Sequence, residues 1–286
     1  MDTKKYCYNG DKKFVGKNFD TSQSGEFKNR EKAEVLHEGQ LAHIQDLQNK
    51  LYSEHKEGLV IIFQAMDAAG KDGAINHIMS GINPEGIDVY NFKKPSVEEL
   101  SHDYLWRAMR VMPERGKIAI FNRSYYEDVL IDKVHSLYKE SNLPDRCKTD
   151  QLYNERYEQI KYYEKYLYKN GIRVLKFFLN ISKDEQKKQF LQRIDDENKN
   201  WKFSEYDMVE RDYWKEYEEA YCDAINSTST HHAPWYVIPS DKKWFSRYVV
   251  TDLIIETLKD MNPKYPTLSN ERKKKLLEFR EKLISE

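Results

Sequence analysis

Continuous apolar runs alternate along the chain with stretches in which apolar side chains recur every three or four positions. The run Leu59-Val60-Ile61-Ile62-Phe63 has strand length and no polar face, the pattern of a strand buried on both sides of a parallel sheet. Comparable runs predict strands over 87–92, 117–121, 172–179 and 235–238. Between them lie helical periodicities. Residues 30–56 carry Ala33, Leu36, Ile44, Leu47 and Leu51 at helical spacing and end at Gly58. Ile75, Ile78 and Met79 mark a helix after the first central strand, and Ser96-Val-Glu-Glu99 opens another as a capping box, predicted to run to about residue 111. Such alternation implies an α/β fold with a five-stranded parallel sheet, right-handed crossovers, and ligands at the carboxyl ends of the strands.

Polar stretches set the remaining boundaries. Residues 1–57 read as an N-terminal arm and helix, the arm either packed on the body or partly disordered. Residues 58–181 and 227–262 form the core, 182–226 a helical lid over the sheet's carboxyl end, and 263–286 a charged terminal helix, all within one domain spanning 1–286.

Composition narrows the partners. Of 286 residues 33% are charged, but 47 basic and 48 acidic side chains leave a net charge of −1. Bulk charge therefore gives no reason to expect nucleic acid, and any basic groove must be local. Cys7, Cys147 and Cys222 are odd in number and widely spaced, which suits a reducing cytosol better than a disulfide framework. The N-terminus lacks an apolar signal core, and no run approaches the roughly 18 apolar residues of a membrane span. A cytoplasmic protein without membrane attachment is expected.

Directly after the first central strand stands Phe63-Gln-Ala-Met-Asp-Ala-Ala-Gly-Lys-Asp-Gly73. A strand, a Gly-Lys loop and a helix in that order form the context of a phosphate-binding loop, in which backbone amides surround a phosphate and the lysine reaches its outer oxygens. Gly70-Lys71 fits this pattern, with Ala68, Ala69, Gly70, Asp72 and Gly73 as the phosphate-binding stretch. Two positions depart from it. Ala65 replaces the first glycine, which would tolerate dihedrals alanine resists, and Asp72 replaces the hydroxyl residue that usually holds Mg²⁺. A second acid, Asp67, lies inside the loop, where it makes sense if a metal ion stands between it and the phosphates.

The strand over 117–121 leads into Asn122-Arg-Ser-Tyr-Tyr-Glu-Asp128 at the same sheet edge. Arg123 would face phosphates there, or else pair with Glu127 or Asp128. Lys93 and Lys94 end the strand over 87–92 at that edge, either of them equally readable as a solvated charge. In the lid, most charges read as a solvated helix face. Lys188 and Arg193 are the exceptions singled out as cations that could meet a transferred phosphate.

Taken together, the stretches 64–73, 92–96, 102–107, 121–128, 200–204 (Asn-Trp-Lys-Phe-Ser) and 233–239 (Ala-Pro-Trp-Tyr-Val-Ile-Pro) resemble the type 2 polyphosphate kinase family. They span nearly the whole chain after residue 50, and the loop's departures are themselves typical of that family. The resemblance implies a three-layer, thymidylate-kinase-like P-loop kinase fold with a helical lid. It also implies Mg²⁺-dependent phosphoryl transfer, Mn²⁺ being a substitute, between inorganic polyphosphate and AMP, ADP and ATP, with guanine nucleotides as further candidates. By the same resemblance Asp67 is the catalytic, metal-binding acid, Lys71 the phosphate lysine, Arg123 a phosphate clamp, and Lys188 and Arg193 the lid cations. Asn122 and Glu127 stand where another branch of the family has Asp and Asn, and the combination here resembles the branch acting on both nucleoside mono- and diphosphates, with Glu127 as a second metal ligand. Such enzymes are commonly homo-oligomers. An ATP-dependent nucleotide kinase shares the fold and the Gly-Lys loop and is the alternative reading.

Overall fold

A computed structural model describes residues 3–27 and 30–286. Among them a six-stranded sheet has the spatial order β1-β6-β5-β2-β4-β3, with β1 at Cys7–Tyr8, β2 at Gly58–Ala65, β3 at Ile87–Asn91, β4 at Ile118–Asn122, β5 at Ile172–Asn180 and β6 at Trp235–Pro239. Every residue of β2 is buried. It pairs in parallel with β4 on one side and β5 on the other, so that Phe63 lies opposite both Asn122 and Phe177.

The five strands expected from the apolar runs are present, but the sheet has a sixth. β1 comes from the N-terminal arm and pairs antiparallel with β6, Cys7 opposite Tyr236 and Tyr8 opposite Trp235. Two residues are too short to show a period of two, which is why no pattern announced the strand. The arm is tied down by burial of Tyr6, Tyr8 and Phe14 and by a pair of bonds in which the Phe14 amide donates to Asn226 Oδ1 at 2.7 Å while Asn226 Nδ2 donates to the Phe14 carbonyl at 2.9 Å.

Helices cover the sheet in two groups. α1 (Arg30–Glu54) and α2 (Lys71–Met79) both pack on α10 (Lys243–Met261). Ile44, Leu47 and Leu51 of α1 are buried as their spacing predicts, whereas Leu36, assigned to the same face, is 51% exposed. The second group comprises α5 (Ile131–His135), α6 (Leu152–Lys169) and α9 (Trp214–Thr228). The single helix expected after Ser96 is two: α3 (Val97–Leu100), opened by the predicted capping box, and α4 (Trp106–Met109). Between them Asp103 Oδ1 accepts from the Leu105 amide at 3.0 Å, an aspartate turn that competes with helix continuation. Beyond β5 come α7 (Lys183–Asp195) and α8 (Glu205–Asp212), and after α10 the exposed helix α11 (Asn270–Ser285). Among the described residues no helix is long and apolar enough to cross a membrane.

One polar element is built into the core. Lys176, in the middle of apolar β5, is fully buried and its Nζ lies 2.6 Å from Glu164 Oε2 of α6, itself fully buried. The hydroxyls of Tyr125 and Tyr126 both donate to Glu164 Oε1 at 2.9 Å, and Lys176 also donates to the Thr228 carbonyl at 3.0 Å. Burial pushes the lysine's pKa down and the carboxyl's up, and each partner opposes the shift of the other. The pair thus ties the segment after β4 to β5, α6 and α9. Replacing it with apolar groups need not cost stability, but breaking it leaves a buried charge without its counter-ion. Lys176→Met should therefore lower unfolding free energy by about 3 to 5 kcal/mol in urea denaturation. Adding Glu164→Gln should restore part of that loss; a single variant as stable as the wild type would show that the pair does not anchor this segment.

Candidate active site

β2 is flanked on both sides by paired strands, so its chain must leave the sheet sharply at its carboxyl end, and that is where Met66 to Gly70 turn into α2. The strain expected of Ala65 does not arise there. Ala65 closes the strand, and the left-handed backbone falls instead on Ala68 (φ 65°) and Gly70 (φ 100°). The neighbouring strand repeats the device. β4 ends at Asn122, Arg123 adopts φ 62°, and its amide donates to the Phe63 carbonyl at 3.0 Å. Left-handed non-glycine residues cost roughly 1 to 3 kcal/mol each and persist only where surrounding structure imposes them. Two such residues at the ends of adjacent central strands mark this edge as a built site.

The side chains converge as charge pairs. The Arg123 guanidinium lies between Asp67, at 3.4 Å, and Glu127, at 3.6 Å. Of the two pairings open at Arg123, that with Glu127 forms. Asp128 instead sits against Arg107, with Nη2 to Oδ2 at 3.9 Å, and burial pushes its pKa up to about 7. Burial raises the Glu127 carboxyl, opposed first by Arg123 and then by Lys71. Lys71 donates to the Ala65 carbonyl at 3.1 Å. Desolvation lowers its pKa, and Asp67 leads the groups that raise it. Lys71, Asp67, Arg123 and Glu127 thus form one electrostatic cluster.

Asn122 is placed differently from a group waiting for substrate. Its Nδ2 donates to Asp72 Oδ1 at 2.9 Å and to Asn91 Oδ1 at 2.8 Å, linking the first turn of α2 to β4 and β3. One oxygen of Asp72 is thereby occupied. Ala68, Ala69, Gly70 and Gly73 lie in the loop and the first turn of α2, whose N-terminal amides favour an anion. Lys93 is exposed just beyond β3, its carbonyl accepting from Arg107 at 2.9 Å. The two lid cations are held by acids of their own segment rather than by the loop. Lys188 is 73% exposed and lies 3.5 Å from Glu185, while Arg193 pairs with Asp207 at 3.2 Å.

Several residues at this edge carry no motif. Gln186 of α7 donates to the Asp67 carbonyl at 3.0 Å, and Arg211 of α8 donates to Gln186 Oε1 at 2.7 Å, so the helical segment after β5 grips the loop. Lys243 and Arg247 of α10 pack against the loop so closely that a Cβ on Gly70 would lie 3.5 Å from Lys243 Cδ, and one on Gly73 2.8 Å from an Arg247 nitrogen. Burial pushes the Lys243 pKa down to about 8, with Arg193 adding to the fall. The only sequence signal for Lys243 was its position just past the carboxyl end of β6. A cavity between the loop and α8 and α9 is lined by Arg123, Glu127, Tyr206, Trp214, Tyr217 and Tyr221, among others.

Metal binding can be tested against this donor set. Among the described residues no three His, Cys, Asp or Glu side chains converge on a point that could hold a metal ion. Mg²⁺ in phosphoryl-transfer sites is typically bound by one or two carboxylates, with substrate phosphates and water completing its shell. Asp67 and Glu127, both beside Arg123, fit that mode and do not fit an all-protein cage.

Comparison with known proteins converges on one family. The sequence profile of Polyphosphate kinase 2 (PPK2) matches residues 26–266. The chain is 44% identical over 277 residues to the ADP-polyphosphate phosphotransferase of Rhodopseudomonas palustris, covering 96% of each chain. It is 40% identical over 264 residues to the AMP/ADP-polyphosphate phosphotransferase of Meiothermus ruber, covering 92% of this chain and 95% of that one. The crystal structure of Polyphosphate Kinase 2 from Arthrobacter aurescens TC1 superposes with a TM-score of 0.84 at 36% identity, over 92% of both chains.

Lys243 yields a prediction with a definite sign. Its folded pKa of about 8 lies below the ordinary 10.5, so the unfolded chain binds more protons between those values and stability gained from deprotonation rises with pH across that window. Lys243→Met should melt higher than the wild type at pH 7, with the difference shrinking as pH climbs from about 8 towards 10.5. A bound anion would raise the pKa again. Calorimetry of inorganic tripolyphosphate binding near pH 8.5 in buffers of different ionisation enthalpy should show more proton uptake by the wild type than by the variant, in which Lys71 is still free to respond. Equal proton uptake by both would place the titrating group elsewhere.

Proposed function

The chain belongs to the polyphosphate kinase 2 family, and on that premise we propose that it carries a phosphoryl group between inorganic polyphosphate and both AMP and ADP, in either direction, at the carboxyl edge of β2 and β4. The observation that carries this reading is the placement of Asp67 within the loop, opposite Arg123 and Glu127 and beside Lys71. A carboxylate in a phosphate cradle is repulsive unless cations lie between it and the substrate. Strand, loop and helix in this arrangement support a P-loop kinase fold of the thymidylate-kinase type.

Phosphoryl transfer through a loose transition state asks for alignment and charge neutralisation more than for covalent chemistry. Mg²⁺, held by Asp67 with Glu127 as the second ligand, would supply neutralisation of phosphate charge when bound. The chain's own groups do the rest. Loop amides and the N-terminus of α2 receive the donor phosphates. Lys71 exchanges the Ala65 carbonyl for a phosphate oxygen and, being desolvated, gains more from that contact than a solvated lysine would. Arg123, held in place by the bond from its amide to β2, presents its guanidinium where the acceptor's terminal phosphate meets the donor. An acceptor oxygen then bonds to the transferred phosphorus as the bridging P–O bond breaks, and the shortened polyphosphate leaves with the bridging oxygen. Residues 182–226 act as the lid, a role supported by the Gln186 grip on the loop. A homo-oligomer is part of the same reading and is supported by Leu276, Phe279 and Leu283, exposed along one side of α11. Guanine nucleotides are included among the acceptors as candidates.

Acceptor choice turns on Glu127 and Asn122. A monophosphate is one phosphate shorter than a diphosphate, so for its terminal oxygen to reach the donor the gap must be filled, and Glu127 is the residue that would hold a metal ion there to neutralise the charge. Neutral Asn122, fixed by Asp72 and Asn91, avoids the repulsion a carboxylate there would impose on Glu127 and on the incoming phosphate.

Purified protein given polyphosphate as sole donor with ADP and Mg²⁺ should form ATP, and Lys71→Ala should slow this by roughly 10² to 10³. Turnover with ATP but not with polyphosphate as donor would identify an ATP-dependent nucleotide kinase instead. Glu127→Asn should cut kcat/KM for AMP far more than for ADP at saturating polyphosphate. Equal losses would show that Glu127 supports transfer in general and does not select the acceptor.

A further inference from the structure

Helix α11 is 16 residues long and every one of them is exposed, as are residues 264–269 that lead to it. Among the described helices of more than two turns, no other lacks a buried residue. A helix of this length gains little stability alone in water and draws most of it from packing an amphipathic face. α11 has such a face. At about 100° per residue, Leu276, Phe279 and Leu283 fall along one line and Leu277 and Ile284 along the next, with Lys273 and Arg280 between the two lines. Glu271, Glu278 and Glu281 fall on the opposite side. Pairing two copies of α11 face to face would press Lys273 and Arg280 of both into one seam, so the face calls for an acidic counterpart.

The outer face of α1 supplies one. Glu31, Val35, Gly39, Ala42 and Asp46 recur every three or four residues along it, and all five are exposed. Gly39 lies inside a 25-residue helix, where glycine costs stability relative to alanine, yet a Cβ there would meet nothing within 4 Å. Nothing among the described residues of its own chain requires a glycine. A second helix crossing closely does, because the gap at Gly39 and Ala42 admits large side chains and lets the two backbones approach. Val35 and Leu36 add exposed apolar surface beside that gap. Glu34 and Asp46 sit in surface pairs with Arg30 and Lys50, each at 2.6 Å and one helical turn away, of the kind that exchanges partners at little cost. Within one chain the two faces do not meet, since both are open. On the reading that the chain forms a homo-oligomer, we propose that α11 of one copy packs across α1 of a second copy around Gly39, its cations meeting Glu31, Glu34 and Asp46. Each copy carries both faces, so the exchange is reciprocal and closes as a dimer.

Sedimentation equilibrium on the full chain should show self-association of the wild type. Gly39→Gln puts a good helix former at an open position, so helix content by circular dichroism should be kept or rise while the dissociation constant of the dimer rises about tenfold or more. Leu283→Asp, exposed in the single chain, should weaken association to a similar degree, and the double variant should lose less than the product of the two because both act on one contact. Ala42→Cys and Arg280→Cys chains, prepared separately, mixed and treated with a short bismaleimide, should give a covalent dimer. Mass spectrometry of the linked peptides should join residue 42 of one chain to residue 280 of the other and separates that link from any made by Cys7, Cys147 or Cys222. Self-association left unchanged by both Gly39→Gln and Leu283→Asp overturns the proposal while the homo-oligomer reading stands. Links between two copies of residue 42, or between two copies of residue 280, overturn it by pairing like helices, and a doubly substituted chain that links to itself alone overturns it by placing α11 on its own α1. A wild type that stays monomeric overturns both the proposal and the homo-oligomer on which it rests.

Discussion

Complete burial of β2 is the constraint from which the site follows. A strand with paired neighbours on both sides and helices over both faces has no slack, so its register against β4 and β5 is set by packing. The chain can turn only after Ala65, and the next strand can turn only after Asn122. Both turns pass through left-handed residues that are not glycine, Ala68 and Arg123, and the Arg123 amide bonds back to the carbonyl of Phe63, the last residue of β2 paired with β4. Packing of a few apolar side chains thereby places an arginine and an acid-bearing loop within ion-pair distance.

Charge in this region is arranged so that the resting site is satisfied by itself. Arg123 sits between two carboxylates and Lys71 rests on a loop carbonyl, while Asn122 occupies Asp72. On the proposed function, each of these contacts would give way to a phosphate oxygen or to a cation bound to one. Desolvation makes the exchange favourable, because Lys71, Glu127 and Lys243 are all shifted by burial away from their charged forms and gain when an ion of opposite sign arrives. Behind the site, the Lys176–Glu164 pair and the hydroxyls of Tyr125 and Tyr126 pin the residues that follow Arg123. Cations at the front can then exchange partners while the backbone that carries them stays still.

Helices α7 and α8 join this framework through polar side chains rather than through a large apolar seam, whereas α9 packs Ala220, Tyr221, Ala224 and Ile225 into the core. Gln186 reaches the Asp67 carbonyl, Arg211 supports Gln186, and Glu210 meets His135 of the body. Leu191 and Ile194 of α7, Val209 of α8 and Trp201 in the connection between them stay exposed. An element held by a few directional bonds can open at modest cost and still return to one geometry, as the proposed lid role requires.

Much of this was legible in the chain. The run Leu59 to Phe63, the Gly-Lys loop after it and the helical spacing after that determine a strand, a tight turn and a helix in order, because period and backbone tolerance are local properties of the residues. Asp67, Lys71, Arg123 and Glu127 were identifiable for the same reason, each lying within a few residues of a strand end. Local pattern was silent wherever a partner lies far along the chain. Tyr8 needed Trp235 to become part of a strand, Ser96 to residue 111 read as one helix until Asp103 turned it, and the pairing of Lys188 with Glu185 and of Arg193 with Asp207 had no local signal. Gln186, Glu210, Lys243 and Arg247 belong to the site only because α5, α7, α8, α9 and α10 meet at one edge of the sheet. Which polar side chain faces a ligand and which faces water is decided by burial and by the partners that packing brings, and those are properties of the tertiary structure.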